Sequence, residues 1–296
     1  MRIESCRLCP RECGAAREAE TGNGFCTMGA DPVVARAALH YWEEPCISGK
    51  RGSGAVFFTG CSLKCVFCQN YEISTERAVG KRLSPRELSE IFRRLEEEGA
   101  ETVNLVNPTH FAAAVREALL LYKPAVPVVY NSGGYDSVET LRSLEGLIDV
   151  YLPDWKYASP EPGARYSGAA DYCTAVKKAV SEMVRQTGPA VFSDEGILLK
   201  GTLVRHLILP GNTRNSIRVL EEMAALSGEL LVSLMAQYVP CGRADQYPEI
   251  NRRITAREYE KVQRRLFELG LDGFLQERAS ASKDYIPPFD LEGVPV

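Results

Sequence analysis

From residue 55 onward the chain alternates short apolar runs with amphipathic stretches, and that rhythm leaves few folds open. An apolar run bounded by turn residues reads as a strand buried on both faces. The amphipathic stretch before the next run leaves room for a crossover helix, so neighbouring strands run parallel. The spacing predicts strands over Ala55–Thr59, Thr102–Asn107, Pro127–Asn131, Ile148–Pro153, Leu203–Leu209 and Leu230–Gln237. The helices between them have legible ends. Ser84, Pro85 and Glu87 supply an N-cap, a first-turn proline and a capping-box partner, and Gly99 closes the helix they open. Asp171–Thr187 runs to a stop at Gly188 and Pro189, Asn215–Leu226 is another helix, and Thr255 with Glu258 caps a long one ending at Gly270. His110–Tyr122 and Ser137–Leu144 complete the set, while Val191–Gly201, turning at Asp194–Gly196, interrupts the pattern. Strands with such crossovers define an α/β fold, a partial barrel whose ligands sit at the carboxyl ends of the strands.

At 296 residues the chain exceeds the usual single domain, yet α/β barrels of this length fold as one unit. Apolar residues at 45% and charged residues at 25% are those of an ordinary globular protein. A formal net charge of −4 argues against a general nucleic-acid or anionic-membrane surface. No stretch approaches the ~18 consecutive apolar residues of a membrane span. The opening residues MRIESCRLCPREC lack the apolar core of a secretory signal. Ten cysteines in that setting read as reduced thiols that bind metal, which predicts a cytoplasmic metalloprotein. The predicted division is a cysteine-rich extension at 1–50, the barrel at 51–278 and an irregular proline-rich tail at 279–296.

The first predicted strand runs directly into GCSLKCVFCQNY, which sets Cys61, Cys65 and Cys68 at a C-x3-C-x2-C spacing. A four-iron, four-sulfur (4Fe–4S) cluster normally takes four thiolates. A tight loop offering only three leaves one iron open, as a site must when a substrate binds the metal. The other readings of the loop are a cluster with its fourth ligand elsewhere, or zinc. A second set, Cys6, Cys9, Cys13 and Cys26, offers four thiols, enough for a closed tetrahedral zinc or a second iron–sulfur cluster. Gly22, Gly24 and Gly29 let the segment fold around a metal, and a segment this short needs one as a staple. The alternative is reduced thiols packed as small hydrophobes. Cys46, Cys173 and Cys241 lack partners in the sequence.

The loop after a first strand, with Phe67 just before the last cysteine, resembles the radical S-adenosylmethionine (SAM) superfamily. Over residues 43 to 240 the strings EEPCISGKRGSGAVFFTGCSLKCVFCQNYEIS, NLVNPTHF, YNSGGYDS, LPDWKY, HLILPGN and QYVPCGRAD follow in order. They resemble a narrower group, pyruvate formate-lyase activating enzyme-like proteins with an amino-terminal cysteine extension. The resemblance implies a partial (β/α)6 barrel of the radical SAM type, a 4Fe–4S cluster on Cys61, Cys65 and Cys68, and SAM chelated through the open iron. It implies that Phe67 lies near the adenine, that Asp154 and Lys156 face SAM with the lysine near its carboxylate, and that Arg205 helps bind it. Residues two apart on a strand share a face, and a guanidinium fork suits a carboxylate. Asn131 and Ser132, ahead of Gly133 and Gly134, suit ribose hydroxyls. The superfamily usually carries Gly-Gly-Glu after its second strand to meet the SAM amino group. This chain has Asn107-Pro108-Thr109-His110 instead, where Asn107 and Thr109 offer oxygen acceptors. His206 alternates away from Arg205 and reads as packing.

The implied function is reductive cleavage of SAM to a 5′-deoxyadenosyl radical that abstracts hydrogen from a substrate outside the chain. A low-potential flavodoxin or ferredoxin would supply the electron. In true activating enzymes the hydrogen comes from a backbone glycine of a glycyl-radical enzyme, and that is the first reading. Here the extra cysteines precede the motif rather than forming an eight-cysteine ferredoxin insert after it. That departure keeps radical modification of a small molecule or peptide as a second reading. A non-enzymatic iron–sulfur electron carrier is a third, although a carrier needs no unliganded iron.

Overall fold

A computed structural model describes residues 2–276 and 286–295. Strands β1 (Val33–His40), β2 (Ser53–Phe58), β3 (Lys81–Arg82), β4 (Val103–Val106), β5 (Val128–Ser132), β6 (Val150–Pro153), β7 (Val191–Phe192), β8 (Leu198–Leu207), β9 (Leu231–Met235) and β10 (Gly273–Leu275) form one curved sheet. Its order is β10-β9-β8-β6-β5-β4-β2-β1-β3, with β7 hanging on β8. From β2 through β10 the main path is parallel throughout. Each predicted strand has its counterpart there, in the predicted order.

The helices are α1 (Pro45–Ser48), between the antiparallel β1 and β2, and then α2 (Pro85–Glu97), α3 (Ala112–Leu121), α4 (Val138–Ser143), α5 (Pro160–Ser167), α6 (Tyr172–Thr187), α7 (Thr213–Leu226) and α8 (Ala256–Glu268). Both predicted capping boxes form: Ser84 with Glu87 opens α2, and Thr255 with Glu258 opens α8. Helix α5 was not legible, since its sequence PEPGARYS carries proline and glycine, the poorest helix formers. Within the barrel, Val129, Val150, Leu152 and Leu203 pack on Cys46 and Ile47 of α1. Helix α1 therefore plugs the amino end, and the carboxyl ends of the strands stay open.

Strand β1 lies inside the segment assigned to the cysteine-rich extension, yet pairs antiparallel with β2 from Val34 opposite Phe58 to His40 opposite Ser53. Its sequence VVARAALH is rich in alanine, which carries little strand preference of its own. The predicted tail begins outside the described residues. Its later part, 286–295, forms no helix or strand and runs beside β1, where Leu291 N donates to Ala35 O (3.0 Å) and Ala37 N to Glu292 O (2.9 Å).

Candidate active site

Strand β2 delivers the cysteine loop through Gly60, whose φ of +90° would place a Cβ 2.6 Å from Met28 Cγ. Only glycine fits there. Cys61, Cys65 and Cys68 then line one cavity at the carboxyl end of the sheet. Each sulfur has a polar neighbour. Leu63 N (3.3 Å) and Asn107 Nδ2 (3.6 Å) donate to Cys61, Ser167 Oγ donates to Cys65 (2.9 Å), and Ser74 Oγ donates to Cys68 (3.4 Å). Burial pushes the Cys65 thiol up to about 11 and the Cys68 thiol up to about 12. As bare thiols they are protonated and inert, and become ligands by exchanging the proton for iron. Among the described residues no three His, Cys, Asp or Glu side chains are gathered to hold one metal ion. A 4Fe–4S cluster needs no such gathering, because each thiolate binds a different iron. Three thiols with donors to their sulfurs fit that group.

Opposite the loop lies a group of charges. Asp154 and Lys156 share a face at the end of β6 and form an ion pair. Trp155 N donates to Arg205 O (2.8 Å), and this pairing beside β8 brings Arg205 Nε to 2.9 Å from Asp154 Oδ1. The remaining arms of the guanidinium reach Glu43 Oε2 (3.1 Å) and Asn131 Oδ1 (2.7 Å), and Asn131 Nδ2 returns to Glu43 Oε1 (3.2 Å). Burial alone would raise the Asp154 carboxyl, but Arg205 and then Lys156 outweigh it and hold it below the usual carboxylate range. Two carboxylates and two cations thus sit together, with the buried Glu44 carboxyl also within electrostatic reach of Arg205. The sequence reading left the Arg205 fork free for a ligand; in the fold it is spent on protein groups.

Asn107, Asn131, Ser132, Asp154, Lys156, Arg205 and Phe67 all line the cavity. Phe67 meets Tyr166 and Tyr238 edge-on, with ring centroids 6.4 and 6.1 Å apart. Thr109 is a correction. It is buried behind the cavity wall, where its hydroxyl lies 2.9 Å from Asn107 Oδ1 and 2.6 Å from Asp136 Oδ1. Burial behind that wall, not the engagement of its hydroxyl, keeps it out of a ligand's reach. His206 packs as expected: Nδ1 lies 2.7 Å from Trp155 O, and burial pushes the ring down to about 4.

Sequence reasoning missed three contributors. Glu43 faces the cavity from the chain ahead of α1, and its neighbour Glu44 is buried against Ser233 Oγ (2.8 Å). Asp136 is fully buried and accepts hydroxyls from Ser132 (2.5 Å), Thr109 (2.6 Å) and Tyr130 (3.1 Å), so it holds the floor of β5 together. Ser167 reaches Cys65 from α5. The Glu43-Glu44 doublet before a helix-opening proline was the one visible signal, and alone it reads as a solvated turn. The amino-terminal thiols also converge. Cys6 and Cys26 are buried, Cys13 is exposed, and Cys9 lies within electrostatic reach of the other three.

The Radical SAM superfamily pattern matches residues 55–276. Uncharacterized protein MJ0674 of Methanocaldococcus jannaschii is 30% identical over 269 residues, covering 88% of this chain and 73% of its own length. Among solved structures, Streptococcus suis SuiB bound to precursor peptide SuiA superposes with a TM-score of 0.51 at 14% identity, over 74% of this chain and 47% of that one. A radical SAM methyltransferase from Sphaerobacter thermophilus superposes with a TM-score of 0.52 at 12% identity, over 76% of this chain and 66% of that one. The chain spans about half the length of SuiB, and at such identities these two likenesses are of fold alone. No helix among the described residues is long and apolar enough to cross a membrane. With the superfamily pattern running from the cysteine loop strand to the last strand of the sheet, the chain belongs to the radical SAM superfamily, enzymes that use a 4Fe–4S cluster and SAM.

Proposed function

We propose that this cavity binds SAM beside a cluster on Cys61, Cys65 and Cys68, and that the chain takes a hydrogen atom from a substrate supplied from outside. One observation carries the reading: the loop thiols, Asp154, Lys156, Asn131 and Ser132 meet in a single cavity at the strand ends. A cluster held on these three thiols would, once reduced, supply the electron for reductive cleavage of SAM to a 5′-deoxyadenosyl radical. The protein's own residues bind, orient and exclude water.

Lys156 offers its ammonium to the SAM carboxylate, held in place by Asp154. Arg205 acts as a positioning residue, because its three arms fix Asp154, Glu43 and Asn131. Ser132 donates its proton to Asp136 and so keeps lone pairs for a ribose hydroxyl. Phe67 gives the adenine an apolar wall. Val106, Leu207, Met235, Ile286 and Pro287 complete that wall and keep water from a reactive intermediate. The electron comes from a low-potential flavodoxin or ferredoxin.

The first reading of the substrate is a backbone glycine of a protein partner. Ile286 and Pro287 line the same cavity as the loop thiols, an apolar border that suits an extended segment of a partner. That geometry also favours a second reading, a peptide. SuiB, a fold relative, is known bound to a precursor peptide.

The test is anaerobic reconstitution and reduction with SAM, followed by chromatography for 5′-deoxyadenosine, with Cys65→Ala as control. Product in the wild type that vanishes in the control supports the reading. A fully loaded cluster with neither product nor SAM binding by titration refutes it. Deuterium passing into 5′-deoxyadenosine from a glycine-labelled protein or from a labelled peptide then separates the two substrates.

A further inference from the structure

We infer that Cys6, Cys9, Cys13 and Cys26 hold a second iron–sulfur cluster, seated against the loop that carries Cys61, Cys65 and Cys68. The backbone gathers these thiols by a tight return. Cys6 N donates to Ala15 O (3.0 Å), Gly14 N to Cys6 O (3.1 Å) and Glu12 N to Cys9 O (3.0 Å), which folds Cys13 back beside Cys6. Gly24 lets the returning strand cross the Cys13 sulfur, since a Cβ there would stand 2.9 Å from Cys13 Sγ. Cys26 follows two residues later and lies within electrostatic reach of Cys6 and Cys13.

Arg17 is the independent sign of a ligand. Its side chain is 1% exposed, and its acceptors are Met28 O (3.1 Å), His110 O (2.7 Å), Gly29 O (2.5 Å) and Cys6 Sγ (3.5 Å). Among the described residues these carbonyls and this sulfur are its only hydrogen-bond partners, with no carboxylate among them. A buried guanidinium without a counter-charge is strongly destabilising. Four neutral thiols supply no charge, whereas four thiolates on an iron–sulfur core carry a net negative one. Arg17 donates straight into that set through Cys6.

The remaining observations give its place beside the loop thiols. The segment is docked on the loop by Arg11, whose Nε donates to Ser62 O (2.9 Å) and whose other arms reach Ser167 O (3.1 Å) and Gly168 O (2.6 Å). Lys64 lies within electrostatic reach of both Cys26 and Cys61.

The assignment stands apart from SAM chemistry, and its test reads metal content alone. Anaerobically reconstituted full-length protein is analysed for iron, acid-labile sulfide and zinc. The wild type should carry about eight irons per chain, two clusters of the four-iron type. With Cys61→Ala, Cys65→Ala and Cys68→Ala combined, about four irons should remain, with equal sulfide and the visible charge-transfer band. Cys9→Ser with Cys13→Ser should likewise lose half of the wild-type iron. A wild-type content of about four irons, or stoichiometric zinc in the loop variant, overturns the inference. The wild-type count decides even if a variant fails to fold.

Discussion

Replacing Arg205 by methionine removes the cation of Glu43 and leaves Asp154 with Lys156 alone. In the native fold the guanidinium touches Asp154, Glu43 and Asn131 at 2.9, 3.1 and 2.7 Å, and its side chain is only 13% exposed. Asp154 and Glu43 are 24% and 12% exposed, so solvent screens little of the interaction. Breaking a buried pair by removing one partner costs about 3–5 kcal/mol. Lys156 still neutralises Asp154, which points to the lower end, about 3 kcal/mol. For a domain of this size that lowers the melting temperature by roughly 6–12 °C. The pH dependence has a definite sign. Native Asp154 is held below the usual carboxylate range, so its pairing stabilises the fold above that range and is lost as pH falls through the depressed value. In Arg205→Met burial is no longer outweighed by Arg205, so the penalty belongs to the charged carboxylate and shrinks as acid protonates it. Calorimetry of the anaerobic reconstituted protein at pH 7 and pH 5 measures both effects. A loss below about 2 °C at pH 7, or a deficit that does not shrink at pH 5, would refute the claim that buried charge is the cause.

Gly134→Ala tests the turn after β5. At φ +74° its Cβ would lie 2.1 Å from Asp154 O, so unfolding experiments should show a loss of more than about 3 kcal/mol, and near-neutral behaviour would sink the reading. Lys156→Ala should weaken SAM binding by roughly ten- to a hundredfold in a titration of the reconstituted protein while leaving its iron content unchanged; equal affinity would remove Lys156 from the site. Asp136 gives the opposite pH sign to Asp154, because burial raises its carboxyl. Between the ordinary and the raised value the folded chain keeps a proton that the unfolded chain releases, so stability falls as pH rises through that window. Asp136→Asn should flatten this slope in melting temperatures taken across pH, and an unchanged slope would contradict it.

Some of the site was legible because it is local. Two capping boxes, the order of the parallel strands and the alternation of Asp154 and Lys156 onto one face each follow from a few adjacent residues and the period of a helix or strand. The cysteine loop is of the same kind. Its spacing alone indicates what three thiols at the end of a strand can hold. Thr109 misled for a related reason: its place after a strand was readable, but the direction of its hydroxyl was set by Asp136, a buried carboxyl 27 positions away.

The sequence alone determined the six parallel strands, the capped helices and which chemical groups arrive at the strand ends, since those depend on contacts between near neighbours. Only the tertiary structure decided how the groups are used. Arg205 meets Asp154 because β6 and β8 pair in parallel, and it meets Glu43, 162 positions away, because the chain ahead of α1 enters the barrel. Likewise Arg17 comes to lie beneath His110, 93 positions on. Such pairings are fixed by sheet register and by the requirement that buried charge find a partner, neither of which a linear spacing records.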